Sequence, residues 1–143
     1  RTLRTTFDEI NSSDMSYYFN TGLSEVSFES AIASVTEALK AEGFGILTEI
    51  DMQQTFKNKL GVEMGRYQIL GACNPQFAHK AVSEENKIGV FLPCILVVRE
   101  TEGGDVEVAI VDPIASMQAV ENPALEPIAG EVQEKLKRVI ASL

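Results

Sequence analysis

Two periods of apolar and polar residues alternate along this chain, and the switches between them lay out its elements. Tyr17-Tyr18-Phe19 has the aromatic character of a strand. Ser27 then caps a helix whose apolar residues Phe28, Ala31, Ile32, Val35 and Leu39 share one face, and Gly43 supplies the left-handed residue that ends it. Phe44 to Ile50 reads as the next strand. Asp51 caps a second helix with Met52, Phe56 and Leu60 on one stripe, closed by Gly61.

Tyr67 to Cys73 reads as a buried strand. Asn74-Pro75 opens a short third helix, because proline's missing N–H has no partner in a first turn. Phe77, Ala78, Ala81 and Val82 form its expected inner side. Phe91 to Glu100 reads as a long strand, Glu102-Gly103-Gly104-Asp105 as a hairpin turn, and Val106 to Val111 as the returning strand. Asp112-Pro113 breaks that strand, and Ile114 to Glu121 is a connection with a helical turn. The last helix has the clearest period: Leu125, Ile128, Val132, Leu136, Val139, Ile140 and Leu143, with Pro127 in its first turn.

The order is strand, helix, strand, helix, strand, helix, strand, strand, helix. The hairpin and the one-sided alternation of Val106 to Val111 predict an α+β fold: a two-layer sandwich of about five strands in a mixed, largely antiparallel sheet, with helices on one face. A parallel doubly wound sheet would need a glycine-rich phosphate turn after its first strand, and Thr21-Gly22-Leu23-Ser24 does not supply one. The expected organisation is an N-terminal extension over 1–14 and a single domain over 15–143.

Composition narrows the function. Of 143 residues, 45% are hydrophobic and 23% charged, the balance of one globular domain. The net charge of −9 disfavours nucleic acid and anionic membrane surfaces as partners. No apolar run approaches a membrane span. The two cysteines make no disulfide framework, so free thiols in a reducing, cytoplasmic setting are expected. The chain starts at Arg1, and Met15 stands as an alternative start; a secreted or anchored form stays open.

The candidate chemistry is sulfur. Cys73, one residue before the cap Asn74, stands at the positive end of a helix dipole, which favours thiolate. Cys94 follows Pro93, which cannot donate to a sheet ladder and leaves irregular backbone. If the two strands are neighbours, the pair can bind a soft metal, cycle through a disulfide or carry sulfur; alternatively both pack as small hydrophobes. His79 completes only a partial ligand set, and Met64 or Met117 are further soft donors, so neither a metal nor a cofactor is assigned. Glu49 and Asp51 alternate onto one side of a strand end, where paired carboxylates can share a proton in a hydrolase; the simpler expectation is that Glu49 faces water and Asp51 caps a helix. Nothing else assembles into a catalytic set.

Three motifs carry a resemblance: Gly43-Phe44-Gly45-Ile46-Leu47-Thr48-Glu49-Ile50-Asp51, Tyr67-Gln68-Ile69-Leu70-Gly71-Ala72-Cys73-Asn74-Pro75 and Ile88-Gly89-Val90-Phe91-Leu92-Pro93-Cys94. In this order they resemble the domain of unknown function 302 family, from about Tyr17 to Asp112-Pro113. The resemblance implies a two-layer sandwich of TATA-binding-protein-like topology and frequent dimers, and it adds no reaction. The family pattern holds both cysteines; Ile95 departs from its usual Asn. The expectation is a small-molecule or sulfur-species binding module at Cys73 and Cys94 with Asn74 and Pro93 beside them, and no established enzymatic role. The alternative is a homodimer built on the open sheet face and the Tyr17-Tyr18-Phe19 strand, with the cysteines as core.

Overall fold

The computed structural model describes residues 16–143; the extension expected over 1–14, and Met15, lie outside the described residues. The strands are β1 (Tyr18–Leu23), β2 (Gly45–Asp51), β3 (Tyr67–Cys73), β4 (Cys94–Glu100) and β5 (Val106–Val111). The helices are α1 (Phe28–Ala41), α2 (Met52–Leu60), α3 (Pro75–Glu84), the short α4 (Pro113–Ser116) and α5 (Glu126–Ala141). The strands form one sheet in the order β1-β5-β4-β3-β2. All four pairings are antiparallel, so the expected mixed sheet is purely antiparallel among the described residues.

Local chemistry sets the ends of these elements. Ser27 and Asp51 accept the backbone N–H of Ser30 and Gln54, at 3.0 and 2.9 Å, and so cap α1 and α2. Gly61 ends α2 at φ +66°, and Gly43 follows α1 at φ +86°, both left-handed. Alternation in the strands places Leu70, Ala72, Leu96, Val98, Val106, Val108 and Ile110 on one face of the sheet. There they pack with Val35 and Leu39 of α1 and Leu136 and Val139 of α5 into the main core. A smaller core of Ala81, Ile88 and Leu125, with Leu92, Met117 and Ile128 against it, joins α3 to α5.

Three expectations shift. The strand expected from Phe91 begins only at Cys94: Ile88–Phe91 is a 3-10 turn, the Leu92–Pro93 peptide is cis, and the ladder opens with Cys94 opposite Ala72. Pro93 has no N–H to give that ladder. Val82 is 45% exposed because the buried stripe of α3 is narrow, with Ala81 alone fully buried. Leu60 is 69% exposed, since α2 packs beside β3 with no fully buried residue.

Gly71 is the tightest point of the sheet. A Cβ there would stand 2.7 Å from Pro93 Cγ and would also overlap Thr48 Oγ1. Replacing Gly71 by Ala therefore forces Pro93 or β2 to move, an overpacking cost of about 1–3 kcal/mol. The expected result is a lowered denaturant midpoint, with Gly22→Ala, where a Cβ meets open space, as the control. Equal midpoints for the two variants would remove the close approach from the account.

Candidate functional site

The antiparallel order brings one set of strand ends together. β3 and β5 finish, and β2 and β4 start, at the same end of the sheet. Cys73 closes β3 and Cys94 opens β4, so residues 21 apart in sequence become neighbours across two paired strands. The direct partner of Cys94 is Ala72, one residue before Cys73. Both cysteines are free and half-buried.

They line one cavity of about 40 Å³, the room of roughly three waters. Phe44 walls it ahead of β2, Phe77 from α3, Leu92 and Pro93 from the approach to β4, Met117 beyond α4 and Val132 from α5. Its lining is almost wholly apolar. Among the described residues no buried side-chain nitrogen or oxygen lacks a hydrogen-bond partner, so no orphaned side-chain group calls for water there.

Asn74 joins two roles. Its Oδ1 accepts from Phe77 N–H at 3.5 Å, capping α3, while its Nδ2 donates to the Glu42 carbonyl at 3.3 Å, tying the end of α1 to the cavity wall. Pro93 lies on the bare backbone of Gly71 and also lines the cavity. The four leading candidates, Cys73, Cys94, Asn74 and Pro93, therefore meet in one place.

The weaker candidates do not join them. His79 is exposed on α3 and is not part of the lining. Glu49 is exposed and accepts from Gln68 Nε2 at 3.0 Å, and Asp51 caps α2, so the two carboxylates serve surface and cap. Met64 is elsewhere; its carbonyl accepts from Gln53 Nε2. Met117 does line the cavity. Among the described residues there is no cluster of three or more His, Cys, Asp or Glu. Sequence reading missed Phe44, Pro113 and Val132 in the wall, which are brought there only by long-range packing. It also missed Gly71, although a glycine inside the apolar run Tyr67–Cys73 was itself a sign of close backbone approach.

Burial, and then the neighbouring Cys73, push the Cys94 thiol up from 9.0 to about 11. At neutral pH Cys94 is a neutral thiol. The raised value makes stability depend on pH with a definite sign. Below pH 9.0 the thiol is protonated in both folded and unfolded chains; between 9.0 and about 11 the unfolded chain has lost the proton while the folded chain keeps it. Stability is thus fully present below 9.0 and falls as pH rises toward 11, by something on the order of 2 kcal/mol. Urea midpoints across that window should fall further for the wild-type chain than for Cys94→Ala; parallel curves would contradict a buried thiol.

No helix among the described residues is long and apolar enough to cross a membrane. No curated protein matches the chain. A solved structure described as an uncharacterized conserved protein DUF302 from Bacillus stearothermophilus is similar to it at 28% identity and a TM-score of 0.80, covering 87% of this chain and 96% of that one. The family model described as domain of unknown function DUF302 matches residues 19–143, which hold both cysteines and every strand and helix of the fold except the first residue of β1, Tyr18. The chain belongs to the DUF302 family.

Proposed function

We propose that this domain is a binding module for a small sulfur-containing molecule, held in the cavity between Cys73 and Cys94. The observation that carries the reading is the shared lining: two free cysteines border one apolar space at the end of the sheet. Its volume sets the class of ligand. About 40 Å³ accepts only a few heavy atoms, which suits a thiol, a sulfane sulfur or a short alkylthio group. Water has little to bond to in such a space, so a polarizable, weakly hydrated group replaces it at low cost. Cys94, neutral at physiological pH, is a poor nucleophile and acts as a wall and weak donor. Unpaired thiols of this kind fit a reducing compartment, consistent with a cytoplasmic setting. The reading needs no catalytic step.

Methyl methanethiosulfonate tests it against a bulky aromatic disulfide reagent. A cysteine thiolate attacks the methylthio sulfur of the first reagent, forming a mixed methyl disulfide and releasing methanesulfinate. The small reagent should modify the folded chain at least about tenfold faster than the bulky one, relative to the same ratio in the unfolded chain, a discrimination of ~1.4 kcal/mol. Thiols inert to both reagents in the folded chain would end the proposal.

A second reading concerns partners. The sheet face opposite the core places Ile50, Ile69, Val97 and Ala109 in one row by register, with Ile95 beside them. Ile50 and Ile95 are 45% and 41% exposed. On this face Arg99 Nε donates to Glu107 Oε1 at 2.7 Å, so the charges nearest the apolar row cancel. The chain as a whole carries −9. Two copies meeting through this face bury an apolar row whose neighbouring charges are already paired, and we propose a homodimer there. Sedimentation should give a dimer that Ile95→Lys converts to monomer; a strict monomer at every concentration would remove it.

A further inference from the structure

The ring of Phe77 lines the cavity, and it carries two cations. Lys80 Nζ lies 5.6 Å from the ring centroid and Lys135 Nζ lies 5.9 Å from it. The two come from different elements, α3 and α5, and converge on the same aromatic wall. In a chain of net charge −9, two cations thus meet on one wall of the cavity that Cys73 and Cys94 line.

The carboxylates around them offset part of their positive charge and leave the rest: Lys135 shares Glu42 with Arg138, two cations on one carboxylate. Glu42 lies 3.8 Å from Lys135 Nζ, but both its oxygens are engaged by Arg138, in three contacts of 3.0 to 3.2 Å. Glu134 turns to Lys137 at 3.6 Å. Glu131 and Glu84 lie one helical turn from Lys135 and Lys80, and neither forms an ion pair with them among the described residues. Lys80 is exposed, on the solvent side of α3.

We infer that the ligand of the cavity is a small anion: its sulfur or short apolar end enters between the cysteines and its charged head stays outside, toward Lys80 and Lys135. This rests on the binding site proposed above and adds the sign of the ligand's charge. An apolar interior is a costly place for the anionic head itself. The two ammonium groups give that head a place beside one wall of the cavity, and they raise the local concentration of anions in a chain that is acidic as a whole.

Iodoacetate and iodoacetamide form a matched pair of probes, alike in size and differing in charge. With each, a cysteine thiolate displaces iodide and forms a thioether, so their rate ratio on Cys73 or Cys94, mapped by peptide mass, cancels effects on access and thiolate fraction common to both. At low ionic strength Lys80→Gln should lower the iodoacetate-to-iodoacetamide ratio roughly two- to threefold, the effect of one unit charge several ångströms away in a watery surround. Lys80→Gln with Lys135→Gln should lower it further, Lys80→Arg should preserve it, and ~1 M salt should erase the difference between wild type and variants. A ratio indifferent to both lysines and to salt, with iodoacetamide still labelling the folded chain, overturns the anionic ligand and leaves the cavity standing. Failure of iodoacetamide to label either cysteine in the folded chain removes the binding site and this inference together.

Discussion

The ring of Pro93 rests on the backbone of β3, and it can do so only because residue 71 has no Cβ. From this contact follow the late start of β4, the pairing of Cys94 with Ala72, and the placing of Leu92 and Pro93 as a wall instead of further rungs of the ladder. A longer β4 would carry backbone hydrogen bonds through the region where the cavity lies. The break leaves space there, while α3, capped by Asn74, and the packing of Leu92 and Met117 against Ile88 and Leu125 close it from above. The main core beneath is complete without it, since Leu70, Ala72, Leu96 and Val98 remain fully buried between the sheet and α1 and α5.

The electrostatics of this end of the sheet differ from those of the rest of the surface. Inside, burial holds Cys94 in its neutral form, and among the described residues no buried side-chain oxygen or nitrogen is left unpaired. Outside, two lysines share the Phe77 ring while the chain as a whole is acidic. On the proposed reading, an apolar, polarizable interior beside two cations would discriminate by both size and charge, and neither property alone would do so. Membership of the DUF302 family fixes the architecture around this arrangement and leaves its chemistry to be argued from the residues themselves.

Much of the fold was legible because its signals are local. Ser27, Asp51 and Asn74 are caps recognisable within four residues of sequence, and the alternation of Val106 to Val111 reappears as a strand with one face fully buried. The meeting of Cys73 and Cys94 was visible only as a condition, that their strands be neighbours; strand order is a long-range property, and the sheet supplies it. Errors arose where tertiary contact overrode local pattern. Phe91 and Leu92 continue the apolar run of β4, yet Pro93 ends the ladder before them; Val82 and Leu60 fit helical stripes but stay exposed at their outer edges. The lysines on Phe77 could not be found by motif, because Lys80 and Lys135 lie on separate helices.

Xenon tests the central claim most directly, since this gas enters dry apolar cavities and ignores hydrogen-bonding sites. Crystals of the protein held under xenon pressure should show an atom between Cys94, Phe77 and Met117, and filling the space by Ala78→Leu should expel it. Absence of xenon from that position in the wild-type protein, or ordered waters filling it, would contradict an apolar, sulfur-lined binding cavity.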